Sequence, residues 1–223
     1  VEKSSAGVIL AREAIVPGKN YILVSDPLGA FQKIIHQLGG FGALQGAHPT
    51  AVVSTSAMLG AHVSVGPYVV IEDDAIIGDG CVLQAHAFIG RGAKLGMHVE
   101  VRPGGKVLHR CEVGDHAIIH EGAIVGSDGF GYRITKRGLA KVPHIGIVKV
   151  GKYAEIGSHA TVDRAAFDAT VIGDGAKLDS QTHVAHNSII GPHTAILAQT
   201  AIAGSVRIGA GCLIGSHVVV KDH

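Results

Sequence analysis

The sequence predicts a mainly β fold: a parallel β-helix wound from six-residue repeats, with a small α/β piece in front of it. Three observations carry this. Aliphatic residues recur at every sixth position over most of the chain. Glycine supplies 32 of 223 residues, about twice its usual share. Aromatic residues make up only 4%, with no Trp. A core of small and aliphatic side chains punctuated by glycine points to a repeat rather than to an ordinary globule.

The front piece, residues 1–47, lacks the period. GVILA (7–11) and YILV (21–24) read as two short strands joined by a PGKN turn. Asp26 reads as a helix cap with Pro27 at the first helical position. Phe31, Ile34, Ile35 and Leu38 follow at helical spacing, and Gly39 ends the helix. The piece is too short to be an independent domain and reads as the back half of a larger one. The chain also stops inside a coil, so either both ends are trimmed or the protein is unusually compact.

From Val53 a step of six runs without a miss through Leu59, Val65, Ile71, Ile77, Leu83, Ile89, Leu95, Val101, Val107, Val113 and Ile119 to Val125. It restarts at Val150, Ile156 and Val162, and again from Ile172 to Val220; all twenty-five positions are Val, Ile or Leu. Two residues earlier the side chain is small or β-branched, as at Ala51, Ala57, Val63 and Cys81. Side chains alternate along a strand, so both positions share one face. Glycine often follows the aliphatic, as at Gly60, Gly78 and Gly90, where a sharp corner needs freedom from Cβ constraints. A helix of 3.6 residues per turn cannot hold a period of six; one short strand plus one corner can. Three such units close a triangular coil, and the domain spanning 48–223 holds about eight coils stacked at roughly 4.8 Å.

The period breaks twice. Residues 127–149 form an insertion carrying Phe130 and Tyr132. Between Val162 and Ile172 the step is ten, so four residues are expected to bulge outward. Insertions in a solenoid usually map to its binding face; a decorative loop is the alternative.

Composition narrows the function. A formal net charge of +1 gives no reason to expect nucleic acid as a partner. No stretch approaches about 18 consecutive apolar residues, so no membrane span is expected, and VEKSSAG lacks a signal-peptide core. Three cysteines without paired spacing argue against a disulfide framework and for a reducing, cytoplasmic setting. Cys81, Cys111 and Cys212 all fall on the small inward position, so they read as core rather than as nucleophiles.

Five segments carry a family resemblance: GSDGFGY (126–132), KVPHIGIVKVG (141–151), IGSHATVDRAAFDATVIG (156–173), LDSQTHVAHNSIIG (178–191) and IAGSVRIG (202–209). Together they closely resemble the UDP-3-O-acylglucosamine N-acyltransferases of lipid A and lipopolysaccharide synthesis, over roughly residues 8–223. The resemblance implies left-handed coils and a homotrimer with active sites between adjacent prisms. It implies transfer of a 3-hydroxyacyl group from acyl carrier protein to the 2-amine of UDP-3-O-acylglucosamine. It implies no tightly bound cofactor, with 4'-phosphopantetheine arriving on the carrier. The front piece resembles the second half of the family's uridine-binding domain, which makes Asp26 and Phe31 substrate-binding candidates. Asp26-Pro27-Leu28 stands where the family usually has Asn-Pro-Tyr.

Making an amide from a thioester needs a base for the amine proton, a donor for the oxyanion and groups that position both substrates. His186 lies two residues past inward Val184, near a corner, and matches the family's Ala-His-Asn motif; it is the expected base. Asp179, seven residues earlier on the neighbouring strand, matches the family's acidic partner and would orient the ring; a solvated corner carboxylate is the alternative. Gly204 is one coil past His186, and its N–H can face the thioester oxygen; a plain corner glycine is the alternative. His223 matches a second family histidine near the phosphates or pantetheine. Asn187 and Gln199 are weaker ligand candidates, expected on the same stack. Phe130 and Tyr132 either cover the substrate or plug an end of the groove. The rival readings are another hexapeptide-repeat acyltransferase acting on a different nucleotide sugar, an inactive scaffold, and a γ-carbonic anhydrase-like zinc enzyme. The last needs two histidines five residues apart among its ligands, a spacing absent from the 15 histidines.

Overall fold

A computed structural model describes residues 4–38 and 46–222. The chain divides into two compact units, Val1–Ala43 and Leu44–His223. The break falls a few residues before the expected 47/48 boundary, because the first rung of the coil is already Gly46–Ala47, paired in parallel with Ser64–Val65. Ala47 sits six residues before Val53, at the inward position. Its side chain is smaller than the Val, Ile or Leu of the later rungs, so the aliphatic series does not show it.

In the front unit, strands Ile9–Ala11 and Tyr21–Leu23 pair in parallel, so the PGKN segment is not the turn of a hairpin. Tyr21 Oη accepts from the N–H of Val16 at 2.9 Å and so holds the connection. The helix runs from Pro27 to Leu38, and Gly39 lies outside the described residues. The Asp26 carboxylate folds over Gly29 in the first turn, where an added Cβ would overlap it.

The second unit is a parallel β-helix with nine, nine and eight rungs on its three faces. Face one runs from Gly46–Ala47 to Leu213–Ile214, face two from Val52–Val53 to Val219–Val220, and face three from Met58–Leu59 to Arg207–Ile208. Each rung pairs with the rung one coil away, for example Phe88↔Lys106 and Ile89↔Val107. The second residue of each short strand is the aliphatic of the sixfold series. From Val65 to Ile202 all of these are buried, and they form one continuous core. The small inward position two residues earlier mostly holds Ala, Val or Cys, and holds Thr182, Ser188, Thr194 and Thr200 in the stretch before the last coil. Those hydroxyls donate to a corner carbonyl one coil along, as Thr194 Oγ1 does to Gly209 at 2.7 Å. The core therefore carries no buried side-chain polar atom without a partner among the described residues. Cys81 and Cys111 are buried in the same way, while Cys212, in the last coil, is half-buried.

The corners correct one expectation. The residue that turns the chain with positive φ stands three places past the aliphatic, not one. It is usually not glycine: His62, His86, His98, His116, His159, His193 and His217 all have φ between 55° and 61°. Short polar side chains and His tolerate this left-handed region better than most. Seven of the 15 histidines are thus accounted for by backbone geometry.

The insertion is shorter than 127–149. Ile124–Ser127 and Ile147–Val150 still belong to the prism. Between them an antiparallel hairpin pairs Tyr132–Thr135 with Gly138–Lys141.

Candidate functional site

The corner between faces two and three, at Ala185–Ser188, gathers the strongest chemistry of the molecule. Strand His183–Val184 pairs with Thr161–Val162 on one side and Ala201–Ile202 on the other. This register puts Gly204 one coil along from His186. A Cβ on Gly204 would come 2.8 Å from Cε1 and 2.9 Å from Nε2 of the His186 ring, so only glycine leaves that ring where it is. The ladder uses the amides of Ala203 and Ser205, the latter donating to the His186 carbonyl at 2.9 Å. It passes over the amide of Gly204.

The ring is held from its other nitrogen. His186 Nδ1 lies 3.1 Å from Asn187 Oδ1. That oxygen also accepts from the N–H of Ala166 at 3.0 Å, and Asn187 Nδ2 donates to the carbonyl of Phe167 at 3.1 Å. Asn187 occupies the positive-φ corner position, φ 61°. Its side chain is spent on the backbone and on the ring, not left free for a ligand.

The insertion folds onto this corner. The ring of His144 is buried and meets the ring of His186 edge-on at 5.0 Å. Its Nδ1 donates to the Val142 carbonyl at 3.1 Å. A Cβ on Gly129 would lie 2.7 Å from His144 Nε2 and 2.9 Å from His186 Cβ, and one on Gly131 would lie 2.6 Å from His144 Cε1. The two glycines of Gly-Phe-Gly thus make room for two imidazoles.

A buried carboxylate completes the cluster. Asp163 accepts from Ser127 Oγ at 2.7 Å and faces His183 Nε2 at 3.8 Å. His183 Nδ1 in turn meets Thr161 Oγ1 at 2.8 Å. Burial pushes the pKa of Asp163 up, against the opposing pull of Ser127, His183, His186 and His144.

After Val162 the chain turns inward before it bulges out. Arg164 is fully buried and Ala165 with it; of the residues that follow up to Thr170, only Phe167 and Asp168 are exposed. Arg164 Nε donates to the Gly126 carbonyl at 2.7 Å and Nη1 to His109 Nε2 at 2.6 Å and the Gly146 carbonyl at 3.2 Å. A guanidinium can only donate, so His109 Nε2 holds a lone pair. Burial and the Arg164 charge hold the pKa of His109 below its usual value. This inward arginine ties both ends of the excursion, at Gly126 and Gly146, to the preceding coil.

Other expected residues lie elsewhere. Asp179 sits at the corner between faces one and two. Its carboxylate accepts from the N–H groups of Ser180 and Ala198, the latter at 3.2 Å. It lines a recess with His120, Glu155, Ser158 and Lys177 and does not meet His186 within the chain. Seven residues carry the chain along a side of the triangle, so it reaches the next corner; the carboxylate beside the imidazoles is Asp163. Gln199 is on the Asp179 corner too, bonded to Gln181 at 2.7 Å, so it does not share a stack with Asn187. Phe130 and Tyr132 meet at 5.0 Å at the base of the hairpin, with Phe130 83% exposed. Phe31 lines an apolar recess of the front unit with Val8, Ile9, Pro27 and Leu28; Asp26 does not line it. His223 lies outside the described residues.

Reading the sequence alone missed His144, Asp163 and Arg164. They stand inside the two breaks of the period, where counting by six no longer assigns neighbours.

Comparisons with known proteins bear on the family and on the fold. Residues 56–91 and 188–222 match the family described as bacterial transferase hexapeptide (six repeats). The UDP-3-O-acylglucosamine N-acyltransferase of Bordetella pertussis is 44% identical over 182 residues, 80% of this chain and 50% of that protein. The enzyme of the same name from Herminiimonas arsenicoxydans is 36% identical over 99% of this chain and 65% of its own length. The chain thus spans between half and two thirds of these relatives. Among solved structures, Arabidopsis UDP-N-acetylglucosamine acyltransferase superposes with a TM-score of 0.73 at 27% identity, covering 79% of this chain and 62% of that one. The UDP-N-acetylglucosamine O-acyltransferase of Moraxella catarrhalis RH4 gives 0.60 at 24% identity, over 78% of this chain and 70% of that one, a likeness of fold. The coil is a left-handed parallel β-helix of this type.

Proposed function

Because the chain belongs to the UDP-3-O-acylglucosamine N-acyltransferase family, we propose that its second unit carries the transfer of a 3-hydroxyacyl group from acyl carrier protein to the 2-amine of UDP-3-O-acylglucosamine in lipid A synthesis. The observation that supports this most is the His186 imidazole lying against Gly204 at an open corner, with Nδ1 already bonded and Nε2 left available.

In this reading the acceptor amine attacks the thioester carbonyl while His186 Nε2 takes its proton. The N–H of Gly204, which the ladder does not use, donates to the oxyanion of the tetrahedral intermediate. The C–S bond then breaks, and the imidazolium returns a proton to the departing pantetheine thiolate. Asp163 supplies negative charge behind the imidazoles and favours the protonated ring at that step. No acyl-enzyme is needed: Cys81 and Cys111 are sealed in the core, and burial pushes both thiol pKa values up. The protein acts as a homotrimer in the cytoplasm, with substrate held between prisms and Phe130 and Tyr132 on its rim. Among the described residues no helix is long and apolar enough to cross a membrane.

The test is product mass spectrometry with UDP-3-O-acylglucosamine and a panel of acyl-carrier thioesters, with UDP-N-acetylglucosamine as the alternative acceptor. Amide product is expected, with kcat reduced by roughly 10²–10⁴-fold in His186→Ala. Gly204→Ala, which pushes on the ring, should lose about 10²-fold. Equal rates in His186→Ala and wild type would remove this mechanism, and O-acyl product would reassign the acceptor.

A further inference from the structure

We infer that Asn187 is a positioning residue that sets which nitrogen of His186 is the base. It does so because the four-residue bulge after Val162 fixes the orientation of its amide.

The two ends of a carboxamide are hard to tell apart by shape, and their assignment comes from hydrogen-bond partners. Here both partners are main-chain groups whose roles cannot change. The N–H of Ala166 can only donate, so the atom 3.0 Å from it must be Oδ1. The carbonyl of Phe167 can only accept, so the atom 3.1 Å from it must be Nδ2. Turning the amide over would break both bonds. Oδ1 is therefore an acceptor in every arrangement that keeps the bulge bonded. The group 3.1 Å away, His186 Nδ1, must then carry hydrogen. A neutral imidazole has one N–H, so its lone pair is on Nε2, the nitrogen beside Gly204. Without this bond the ring would drift towards the tautomer that free histidine favours, with hydrogen on Nε2 and no lone pair on the working side.

The extra residues in the step from Val162 to Ile172 gain a purpose. They carry Ala166 and Phe167 out beside the corner of the next coil, where one N–H and one carbonyl together meet both ends of the Asn187 amide. Thr170 Oγ1 takes the remaining backbone N–H of Asn187 at 2.8 Å, so the residue is held at four points, the ring included.

The consequence for catalysis rests on the proposed role of His186, but the tautomer itself does not. The two are tested separately. Histidine 15N–1H correlation spectra of the whole chain at roughly pH 8, where an imidazole is neutral, distinguish the tautomers; the His186 signal is the one lost in His186→Gln. The wild type is expected to show hydrogen on Nδ1. Asn187→Gly removes the side chain without straining φ 61°. It is expected to move His186 towards the Nε2–H form and to lower kcat by roughly 10²-fold with little change in KM. Asn187→Asp keeps an acceptor and is expected to keep hydrogen on Nδ1. Hydrogen on Nε2 in the wild type, or an unchanged pattern in Asn187→Gly with its unfolding midpoint intact, overturns the inference. A tautomer that shifts as expected while activity stays constant upholds the lock and instead removes His186 as base.

Discussion

Cys81 shows how a single inward position trades one chemistry for another. Its Sγ donates to the Gly96 carbonyl at 3.0 Å, the same fifteen-residue reach that Ser188 makes to Ala203 at 2.8 Å and Thr194 makes to Gly209 at 2.7 Å. A thiol, unlike a hydroxyl, titrates within reach of experiment. Burial pushes the Cys81 pKa up to about 11 from an ordinary 9.0. The folded state thus holds the neutral thiol while the unfolded chain ionises, so this contribution to stability is complete below pH 9 and is lost as pH rises from there towards about 11. Cys81→Ser keeps a donor where the fold already accepts one but does not ionise. Urea midpoints measured from pH 8 to pH 11 are expected to fall less steeply in Cys81→Ser than in wild type. Parallel declines would mean that the thiol is not what titrates. The sequence placed this residue in the core through its hexad position alone, because an inward site depends only on counting.

At the scale of the coil, counting by six assigned the rungs that carry Val, Ile or Leu but misread the glycines. Face three ends in glycine at each rung: Gly60, Gly78, Gly96, Gly114, Gly151, Gly173, Gly191 and Gly209. These residues do not turn the chain with positive φ. They let consecutive coils touch. A Cβ on Gly114 would lie 2.7 Å from the amide nitrogen of Lys152, and one on Gly173 would lie 2.6 Å from that of Pro192. Those neighbours are backbone and cannot swing away. Gly209 meets only Cys212 Sγ, at 3.9 Å. Gly173→Ala is therefore expected to cost about 1–3 kcal/mol in urea unfolding, as overpacking does, and Gly209→Ala less than about 0.5 kcal/mol. Similar losses at both sites would return the column to a conformational role. Only the three-dimensional stack separates the two readings, since both write the same letter. The site was partly legible for a related reason. His186 and Gly204 are one coil apart and could be paired by arithmetic. Asp163, Arg164 and His144 sit in irregular segments, where proximity follows from how a loop folds back. Asp179 does not meet His186 within the chain, because seven residues lead around a corner rather than along the axis.

Over the whole molecule, stability should depend on place along the stack. Each rung bonds only to the rungs one coil away, so the prism behaves as a one-dimensional array of neighbour interactions. Ile119 and Ile214 test this because they share face one and the same inward position. Ile119 is fully buried, with rungs paired on both sides, Glu100–Val101 and Glu155–Ile156. Ile214 is half-buried, with its rung paired to Ala195–Ile196 in the last coil of this face. Truncating Ile119 to Ala removes packing against two coils and leaves a closed cavity, which costs about 3–4 kcal/mol in well-packed cores. Truncating Ile214 removes contact with one coil and opens to solvent, so about 1 kcal/mol is expected. Urea unfolding of the two variants measures the difference, and hydrogen exchange should show amides near Ile119 protected more strongly than those near Ile214. Contacts of the proposed trimer along the sides of the prism would raise both values without erasing the contrast, because the side of Ile214 on which no described rung pairs faces along the axis. Equal losses would mean that the end coil is covered from above, and that the array does not terminate where its last described rung does.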